Sequence, residues 1–577
     1  MYNFQNEIKE ILISIGIDEN EIKLETPKDI TLGDYAFPCF NLSKIMKKSP
    51  QEISKEINDK INDIIKNKTN NIEKVQNLGP YINFFIKRDI KAKNIIQSII
   101  DDSLFEFEKK NENVMVEYCQ VNTHKAFHVG HLRGTLIGSS LVNLLRYYGY
   151  NVISANYQGD TGTHVAKSLW YLTKHLDEPY PDERKGIWLG KIYQKANELL
   201  KDEINRDQYK KEISEILQKL ENREEEITNL WTKTRQWSLD DYEVIYDLLN
   251  VKFDEYFFEG QMEEKGKEIV KELLNKKIAF YDDGAIVIDL KKYNLGIYIL
   301  LKSDGTALYS TKDIALAKIK FDEFKIDHSL YVVGSEQKYH FQQLFKTLDL
   351  MNFNQSKNCK HIPFDLVNLE GGKISSREGE LILALDLIEE IISKATEEVK
   401  KRGHVEEKDI EETGKNLALS ALKFGFLNYD NNKSIIFNMN KALDFEGETG
   451  PYVQYVYARI SNILEKIDNE FMKQFNNINE IDKIDFNLLS EDSENKLINI
   501  LSQYRLVISN CVENNKIHTL ARYLIELSQA FNEFYHQCPI IKQEESIKYA
   551  RIALIISVQK VIVNGLNILG IKPLNKM

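Results

Sequence analysis

Residues 122–134 read Asn-Thr-His-Lys-Ala-Phe-His-Val-Gly-His-Leu-Arg-Gly, and this stretch gathers the side chains best suited to chemistry. It lies between a strand-like run, 114–118, and an unbroken helical pattern, 132–147. The first N–H groups of a helix lack intrahelical partners and the helix dipole adds partial positive charge there, so this corner suits a phosphate. Gly130 removes a side chain where a flat ring or a phosphate approaches, while His128 and His131 supply donors that can follow charge on an oxygen. A second element, Gly-Gly-Lys-Ile-Ser-Ser-Arg-Glu-Gly at 371–379, follows the apolar run 364–369. Its Lys373, Ser375 and Arg377 make a cationic, hydroxyl-rich loop suited to gripping a triphosphate. Plainer readings stay open on these residues alone. His124, His128 and His131 fall at helical spacing and could ligate a metal, but no Cys pair and no HExxH completes such a site, so no protein-held metal is expected. The three rings could also be ordinary surface histidines, and the second element a solvated loop.

The elements that must position these residues alternate. Strand patterns at 114–118 and 151–157 are followed by a helix at 162–175. Strands at 285–290 and 297–301, a helix at 311–321, a strand at 329–334, a helix at 341–351 and a strand at 364–369 come later. Such alternation predicts a parallel, nucleotide-binding sheet. Between about 176 and 280 the pattern becomes long charged helices (188–200, 210–234) whose periodic Ile213, Ile216, Leu217 and Leu220 predict a packed helical hairpin. Residues 1–88 mix amphipathic helix (7–15, 50–66) with short strands ending at 81–86, and a polar bridge, 87–113, leads to the strand at Val114. From about 386 onward nearly everything reads as helix, with Tyr, Gln and Arg clustered at 452–459.

Composition is normal for a soluble globular protein able to bury large cores. The 577 residues are 42% hydrophobic and 28% charged, and the length suggests about three or four domains. The segment at 1–20 is acidic and amphipathic rather than a basic start with an apolar core, and no apolar run approaches the roughly 20 residues that span a bilayer. A cytoplasmic protein with no membrane partner is expected. Five cysteines, Cys39, Cys119, Cys359, Cys511 and Cys538, lack metal-ligand spacing and suit reduced thiols. The net charge of −12 limits unspecific adhesion to nucleic acid without excluding a local basic surface.

With these residues in view, the sequence resembles the class I aminoacyl-tRNA synthetases. The tetrad His128-Val129-Gly130-His131 matches their first signature, and Lys373-Ile374-Ser375-Ser376-Arg377 matches the second in degenerate form. Within the class it resembles the arginyl-tRNA synthetases. GDYAFPCFNLSK (33–44) and GPYINFFI (79–86) are similar to their N-terminal domain, WSLDDYEVIYDLLNVKFDEYFFEGQ (237–261) to their catalytic insertion, and DFEGETGPYVQYVYARI (444–460) with NGLNILGI (564–571) to their helical C-terminal domain. The resemblance implies an α/β fold: a Rossmann-like parallel-sheet catalytic domain at 112–385 with a helical insertion at about 176–280, an N-terminal α+β domain at 1–88 that contacts tRNA, and an all-α helical anticodon-binding bundle at 386–577.

The function so implied is arginine–tRNA ligation: L-arginine and ATP, with Mg²⁺ travelling on the ATP, give arginyl-adenylate, and the arginyl group passes to the terminal ribose of tRNA(Arg). The resemblance also implies a monomer, and activation that needs bound tRNA. It assigns Glu117, Asn122, Tyr309, Asp313 and Gln337 to the arginine site, since a planar five-donor guanidinium is distinguished by carboxylates at fixed geometry. Taken without it, Asp313 is equally a helix N-terminal acid and Glu117 a strand-end surface residue. ATP is expected across His128, Gly130 and His131, with His340 nearby and Lys373, Ser375 and Arg377 closing over it. Ser376 stands where the second signature usually has a lysine, and Lys125, ahead of the tetrad, is expected to supply that charge, joining His128, His131 and Lys373 as catalytic. Asn83 and Phe85 are candidate contacts to the tRNA elbow, and Tyr452, Gln454 and Tyr457 to the anticodon, although aromatics in a helix are more often core. Two alternatives stay open: another nucleotidyltransferase built on the same sheet, and a non-catalytic tRNA-binding paralogue.

Overall fold

The computed structural model describes residues 4–27, 30–67, 71–369, 382–467 and 483–577. The chain divides into two compact units, one formed by Met1–Glu106, Val456–Val507 and Tyr523–Asn564, the other by Phe107–Tyr455, Ile508–Arg522 and Gly565–Met577.

In the first unit, β1 (Tyr35–Pro38), β2 (Ile72–Leu78) and β3 (Tyr81–Ile86) form an antiparallel sheet in the order β1-β3-β2. The helices Phe4–Ser14 and Pro50–Asn67 cover it, burying Ile8, Leu12, Ile53, Ile57 and Ile61 against Phe37, Ile82 and Phe84. The predicted polar bridge is largely a helix, Arg88–Ile100, because Ala92, Ile95, Ile96 and Ile99 recur on one face and are buried. Its Arg88 and Lys91 are engaged by groups of the same unit. Arg88 donates to Ser490 O (2.6 Å), Lys91 bridges Asp34 and Asn499, and Lys560 reaches Ile100 O (2.8 Å). The expectation that no apolar run nears membrane-spanning length needs one amendment. Among the described residues the Glu545–Ile568 helix is long and apolar enough to cross a bilayer, and 67% of its most apolar stretch is buried inside the protein, as in a core helix.

The second unit is built on a parallel sheet. Strands β4 (Asn113–Glu117), β5 (Asn151–Gln158) and β6 (Glu255–Phe258) are followed by an antiparallel trio, β7 (Phe280–Asp282), β8 (Ala285–Asp289) and β9 (Ile297–Leu301). Strands β10 (His328–Gly334) and β11 (Cys359–Phe364) then complete the parallel sheet in the order β11-β10-β4-β5-β6. Val114, Met115, Val116 and Glu117 of central β4 are all buried, as a strand covered on both faces requires.

Three expectations about strands are corrected here. The strands at 285–290 and 297–301 do not join the parallel sheet: the few residues between them permit an antiparallel turn, whereas a parallel crossover needs a dozen or more. The run at 364–369 splits into the end of β11 and a separate short strand, β12 (Val367–Leu369), which pairs with β13 (Ile435–Phe437). The fifth parallel strand, β6, comes from the segment expected to be insertion helix. The hairpin expected between 176 and 280 is in fact part of a helical pack. Thr163–Lys174, Lys185–Leu199, Arg206–Glu221 and Glu225–Leu249 enclose Trp170, Ala196, Ile213, Ile216, Leu220 and Ile227.

Candidate active site at the carboxyl ends of the central strands

The chain runs from β4 outward to β5 and β6, then returns on the other side of β4 to place β10 and β11. Strand order therefore reverses at β4, and the crevice beyond the carboxyl end of such a strand is where open α/β sheets receive ligands. The loop leaving β4 is conformationally costly: Cys119 (φ 80°), Gln120 (φ 54°) and His124 (φ 60°) are all non-glycine residues in the left-handed region. Cys119 itself is buried, and burial pushes its thiol up to about 11, which leaves it an unreactive packing group.

The tetrad opens the Val129–Tyr147 helix through an unusual cap made by its own histidines. His128 Nδ1 accepts from Gly130 N (3.1 Å), and His131 Nδ1 accepts from His128 N (3.2 Å). The two rings stack with centroids 3.8 Å apart. Burial, aided by the Lys125 charge, holds His128 down at about 4, and burial with the neighbouring His128 and Lys125 holds His131 well below the usual range. Both rings are thus neutral at pH 7. With each Nδ1 lone pair accepting, each proton sits on Nε2, so the pair presents two N–H donors and no charge. A Cβ at Gly130 would meet the His128 ring at 2.9 Å, so this glycine makes room for the cap itself rather than for a ligand. Further along the helix, a Cβ at Gly134 would strike the Phe364 ring (2.7 Å) and one at Gly138 the Tyr118 ring (2.1 Å), so glycines four apart let the helix settle closely onto β4 and β11. Buried Arg133 on this helix donates to the carbonyls of Asp365 (2.6 Å), Asp430 (3.1 Å) and Lys433 (2.7 Å). It thereby ties the tetrad helix to the chain just past β11.

One face of the Glu225–Leu249 helix holds the signature loop. Trp231 Nε1 donates to Asp160 O (2.7 Å), and Arg235 pairs with the Asp160 carboxylate (3.1 Å). Thr234 bonds His124 Nε2 (2.8 Å), and Ser238 accepts from His124 N (3.0 Å). Tyr242 donates to the carbonyls of Asn122 (2.8 Å) and Lys125 (2.6 Å). His124, fully buried with its ring held down at about 3 by burial, is therefore a neutral anchor of the loop. Gly190 lets a second insertion helix approach Ala126, where a Cβ would lie 2.9 Å away. Lys125 stands beside the tetrad, its Nζ 5.7 Å from the Tyr193 ring centre.

Around the crevice the remaining expected residues divide. Asp313 and His340 are brought together, Nε2 to Oδ2 at 2.6 Å. Asn122 Oδ1 accepts from Gly159 N (3.2 Å). Tyr309 is about half exposed at the start of the Tyr309–Asp322 helix, where partial desolvation and the Glu259 and Asp313 charges raise its hydroxyl. Gln337 is exposed just beyond β10. Glu117, expected to orient the amino acid or lie on the surface, is instead buried. One oxygen pairs with Lys320 Nζ and the other accepts from Gln120 Nε2 (2.8 Å).

Sequence reasoning missed much of the pocket wall. Buried Asp160 and Glu259 follow β5 and β6, Glu259 paired with Lys312 at 3.1 Å. Burial raises both carboxyls. The hydroxyls of Tyr157, Thr161, Tyr298 and Tyr331, both amide atoms of Gln158, and His164 Nε2 are buried without a hydrogen-bond partner. The Tyr157 hydroxyl is pushed up by burial and by the charges of Asp313, Glu259, Glu117 and Asp160. Orphaned polar groups beside several carboxylates suit a polar, cationic ligand. Tyr157 and Gln158 end a strand that the sequence pattern had already placed, so the carboxyl-end rule could have found them.

Other expected contacts fare differently. Lys373, Ser375 and Arg377 lie outside the described residues. Asn83 is buried (5% exposed) within β3, and Gln454 is fully buried, donating to Lys572 O (2.7 Å) and accepting from Leu574 N (2.9 Å). Neither presents a surface to an RNA: Asn83 is buried on the face of β3 opposite Ile82 and Phe84, and Gln454 pins the C-terminal segment. Phe85 is partly exposed under Lys74, while Tyr452 and Tyr457 are half-buried on the Gly450–Glu465 helix.

Comparison with known proteins agrees with this geometry. Three family models match: arginyl tRNA synthetase N-terminal domain over residues 2–86, class I (R) tRNA synthetase catalytic domain over 94–439, and DALR anticodon binding domain over 453–577. An arginine–tRNA ligase of Bdellovibrio bacteriovorus is 38% identical over 96% of this chain and 94% of its own. One of Clostridium botulinum is 35% identical over the whole of both. The Thermus thermophilus arginyl-tRNA synthetase structure shares the fold with a TM-score of 0.82 at 24% identity, over 100% of this chain and 99% of that one. Signature helix, parallel sheet, flanking domains and relatives lead to one conclusion: the chain belongs to the class I arginyl-tRNA synthetases.

Proposed function

We propose that the crevice beyond β4 activates L-arginine with ATP and then charges the terminal ribose of tRNA(Arg). The observation that carries this reading is the pair of neutral, Nε2-protonated histidines at the start of the Val129–Tyr147 helix, beside Lys125 and at the carboxyl-end side of the sheet, where Asp160 and Glu259 follow β5 and β6. In activation, an arginine carboxylate oxygen attacks the α-phosphorus of ATP, the bond to the bridging oxygen breaks, and pyrophosphate leaves. Negative charge shifts onto phosphate oxygens, where fixed donors that need no reorganisation stabilise it. His128 and His131 donate through Nε2, and Lys125 supplies the cation that Ser376 lacks, with Lys373, Ser375 and Arg377 closing from the second signature. In transfer, the ribose hydroxyl attacks the adenylate carbonyl and AMP leaves. Mg²⁺ would travel with the ATP phosphates, whose charge it would offset.

Arginine is recognised by acceptors. Asp313, oriented by His340, takes the guanidinium together with Glu259, and the orphaned Tyr157 and Gln158 groups complete the pairing. Tyr309 covers the side chain, Asn122 and Gln337 hold the α-substituents, and Glu117 acts through Gln120 and Lys320. A lysine substrate, with one compact ammonium, would leave several of these buried groups unpaired. Phe85 and Tyr457 remain candidate base-stacking positions, and Tyr452 a further one. The 1–88 segment, the 112–385 core and the 386–577 helices serve elbow, chemistry and anticodon in a cytoplasmic monomer. The test is arginine-dependent ATP–pyrophosphate exchange with and without tRNA, run also on Lys125→Ala. Exchange in the wild-type chain and its near-loss in the variant, with tRNA affinity kept, are expected. No exchange in the presence of tRNA sinks the reading.

A further inference from the structure

Buried Arg133 stands two residues past His131 on the Val129–Tyr147 helix, and its guanidinium donates to main-chain carbonyls. A guanidinium held this way is only as well placed as the carbonyls around it. Two of them, those of Asp430 and Lys433, belong to one turn. Lys433 N donates to Asp430 O (3.0 Å), and Asp430 Oδ1 accepts from Asn432 N (3.0 Å) and Asn432 Nδ2 (3.2 Å). The second carboxylate oxygen is taken from outside the turn. Lys516 Nζ, 86 residues further along the chain, donates to Asp430 Oδ2 at 2.9 Å, and His518 Nε2 lies 3.6 Å from the same oxygen.

The same turn also reaches the chain beyond β10. Asn431 O accepts from Asp365 N (2.9 Å), and the Asp365 carboxylate accepts from the Ser335 hydroxyl. Ser335 opens the short turn Ser335–Gln337, which leads into the Lys338–Leu350 helix that carries His340. The histidine pair and the Gln337–His340 stretch therefore meet, through Arg133 and Asp365, on the turn at 430–433. All of these residues belong to the second unit. Only an ionised carboxylate at 430 can close the turn with one oxygen and grip the Lys516 ammonium with the other in a charge-assisted bond.

We propose that Asp430 is a positioning residue for amino-acid activation: pinned by Lys516, it fixes the turn that aims Arg133 and Asp365, and through them His128, His131 and Gln337. The assignment rests on the synthetase reading above. Asp430→Asn keeps an amide oxygen to close the turn and loses the ion pair. Lys516→Met leaves the turn's own residues intact, and its side chain is 41% exposed, so the fold tolerates the change. Arginine-dependent ATP–pyrophosphate exchange with tRNA present is measured on the full-length wild type, both single variants, the double variant and Lys516→Arg. A misplacement of about 1 Å can cost about a hundredfold in rate, so kcat should fall by roughly tenfold to a hundredfold in each single variant. The KM values for arginine and ATP should stay within experimental scatter. Because both changes break one link, the double variant should fall no further than the singles, and Lys516→Arg, which keeps the cation, should retain most of the rate. Wild-type kcat in both single variants overturns the proposal, and so does a double variant whose losses multiply. An arginine KM that rises while kcat holds also overturns it, since the turn would then serve ground-state binding alone. No exchange in the wild type sinks the synthetase reading and this inference with it, whereas wild-type exchange matched by the variants sinks the inference alone.

Discussion

Removing Lys320 isolates what Glu117 does. The pair is sealed from water: the Lys320 side chain is 0% exposed and that of Glu117 4%, and the ammonium also lies 4.0 Å from the centre of the Tyr331 ring. Breaking a buried ion pair by deleting one partner strands the other charge, at a cost of about 3–5 kcal/mol. Replacing both with neutral groups of similar volume removes most of that penalty. Lys320→Met should therefore destabilise by about 3–5 kcal/mol, and Glu117→Gln by a comparable amount, whereas the double variant should fall well short of their sum, with a coupling of about 2 kcal/mol or more. All four tryptophans, Trp170, Trp188, Trp231 and Trp237, belong to the unit that contains the pair, so their fluorescence during urea unfolding follows that unit rather than the other. If Glu117 acts through its protein partners, Lys320→Met and Glu117→Gln should raise the KM for arginine in parallel. Additive stabilities, or an arginine KM that responds to Glu117→Gln alone, would refute the reasoning and return Glu117 to direct substrate contact.

Acid should weaken the fold before carboxylates titrate. His124, His128 and His164 are held down at about 3, 4 and 4, mainly by burial. Below pH 6.5 the unfolded chain binds protons that these folded rings refuse, so the stability they contribute is complete above 6.5 and is lost as pH falls toward their folded values. Between pH 7.5 and 5.5 that is roughly 1 kcal/mol for each ring, read by urea unfolding at the two pH values, and a flat profile contradicts their burial as neutral rings. Tyr242→Phe leaves the carbonyls of Asn122 and Lys125 without a buried donor, so it should cost about 1–3 kcal/mol. It should also lower kcat/KM for arginine by an order of magnitude or more by loosening the signature loop; kinetics equal to wild type would show that the loop is held elsewhere.

Much of the framework was legible because it depends on local periodicity. The Pro50–Asn67 helix and the strands β4, β5 and β10 fall close to where alternation and helical spacing put them. What escaped depends on partners distant in sequence. The 87–113 stretch reads as polar because Arg88 and Lys91 are charged, yet those charges meet Ser490, Asp34 and Asn499, about four hundred residues away in two of the three cases. Strand β6 has only four residues, Glu255–Phe258, too few for a period to emerge, and only pairing with β5 identifies it. Strands β8 and β9 were assigned to the wrong sheet because alternation shows a strand but not its direction. The brevity of the turn between β8 and β9 was the signal that should have overruled it.

The site shows the same division, with a physical reason behind it. The groups proposed to meet substrate lie at strand ends and helix starts, where the chain's own pattern marks them, as at His128, His131 and Asp313. Groups that hold those in place sit mid-helix on another element, and there Trp231, Thr234, Arg235, Ser238 and Tyr242 look like one amphipathic face. Their spacing of three to four residues is indistinguishable from packing because they do pack; what sets them apart is that their polar ends reach the loop carbonyls, a buried histidine and Asp160. Three left-handed non-glycine residues in the loop after β4 explain the need for such a brace, since that strained backbone would relax unless the surroundings over-determined it. The insertion is thus coupled to the chemistry through the Glu225–Leu249 helix. A substitution on that face should act on kcat/KM without touching a substrate atom.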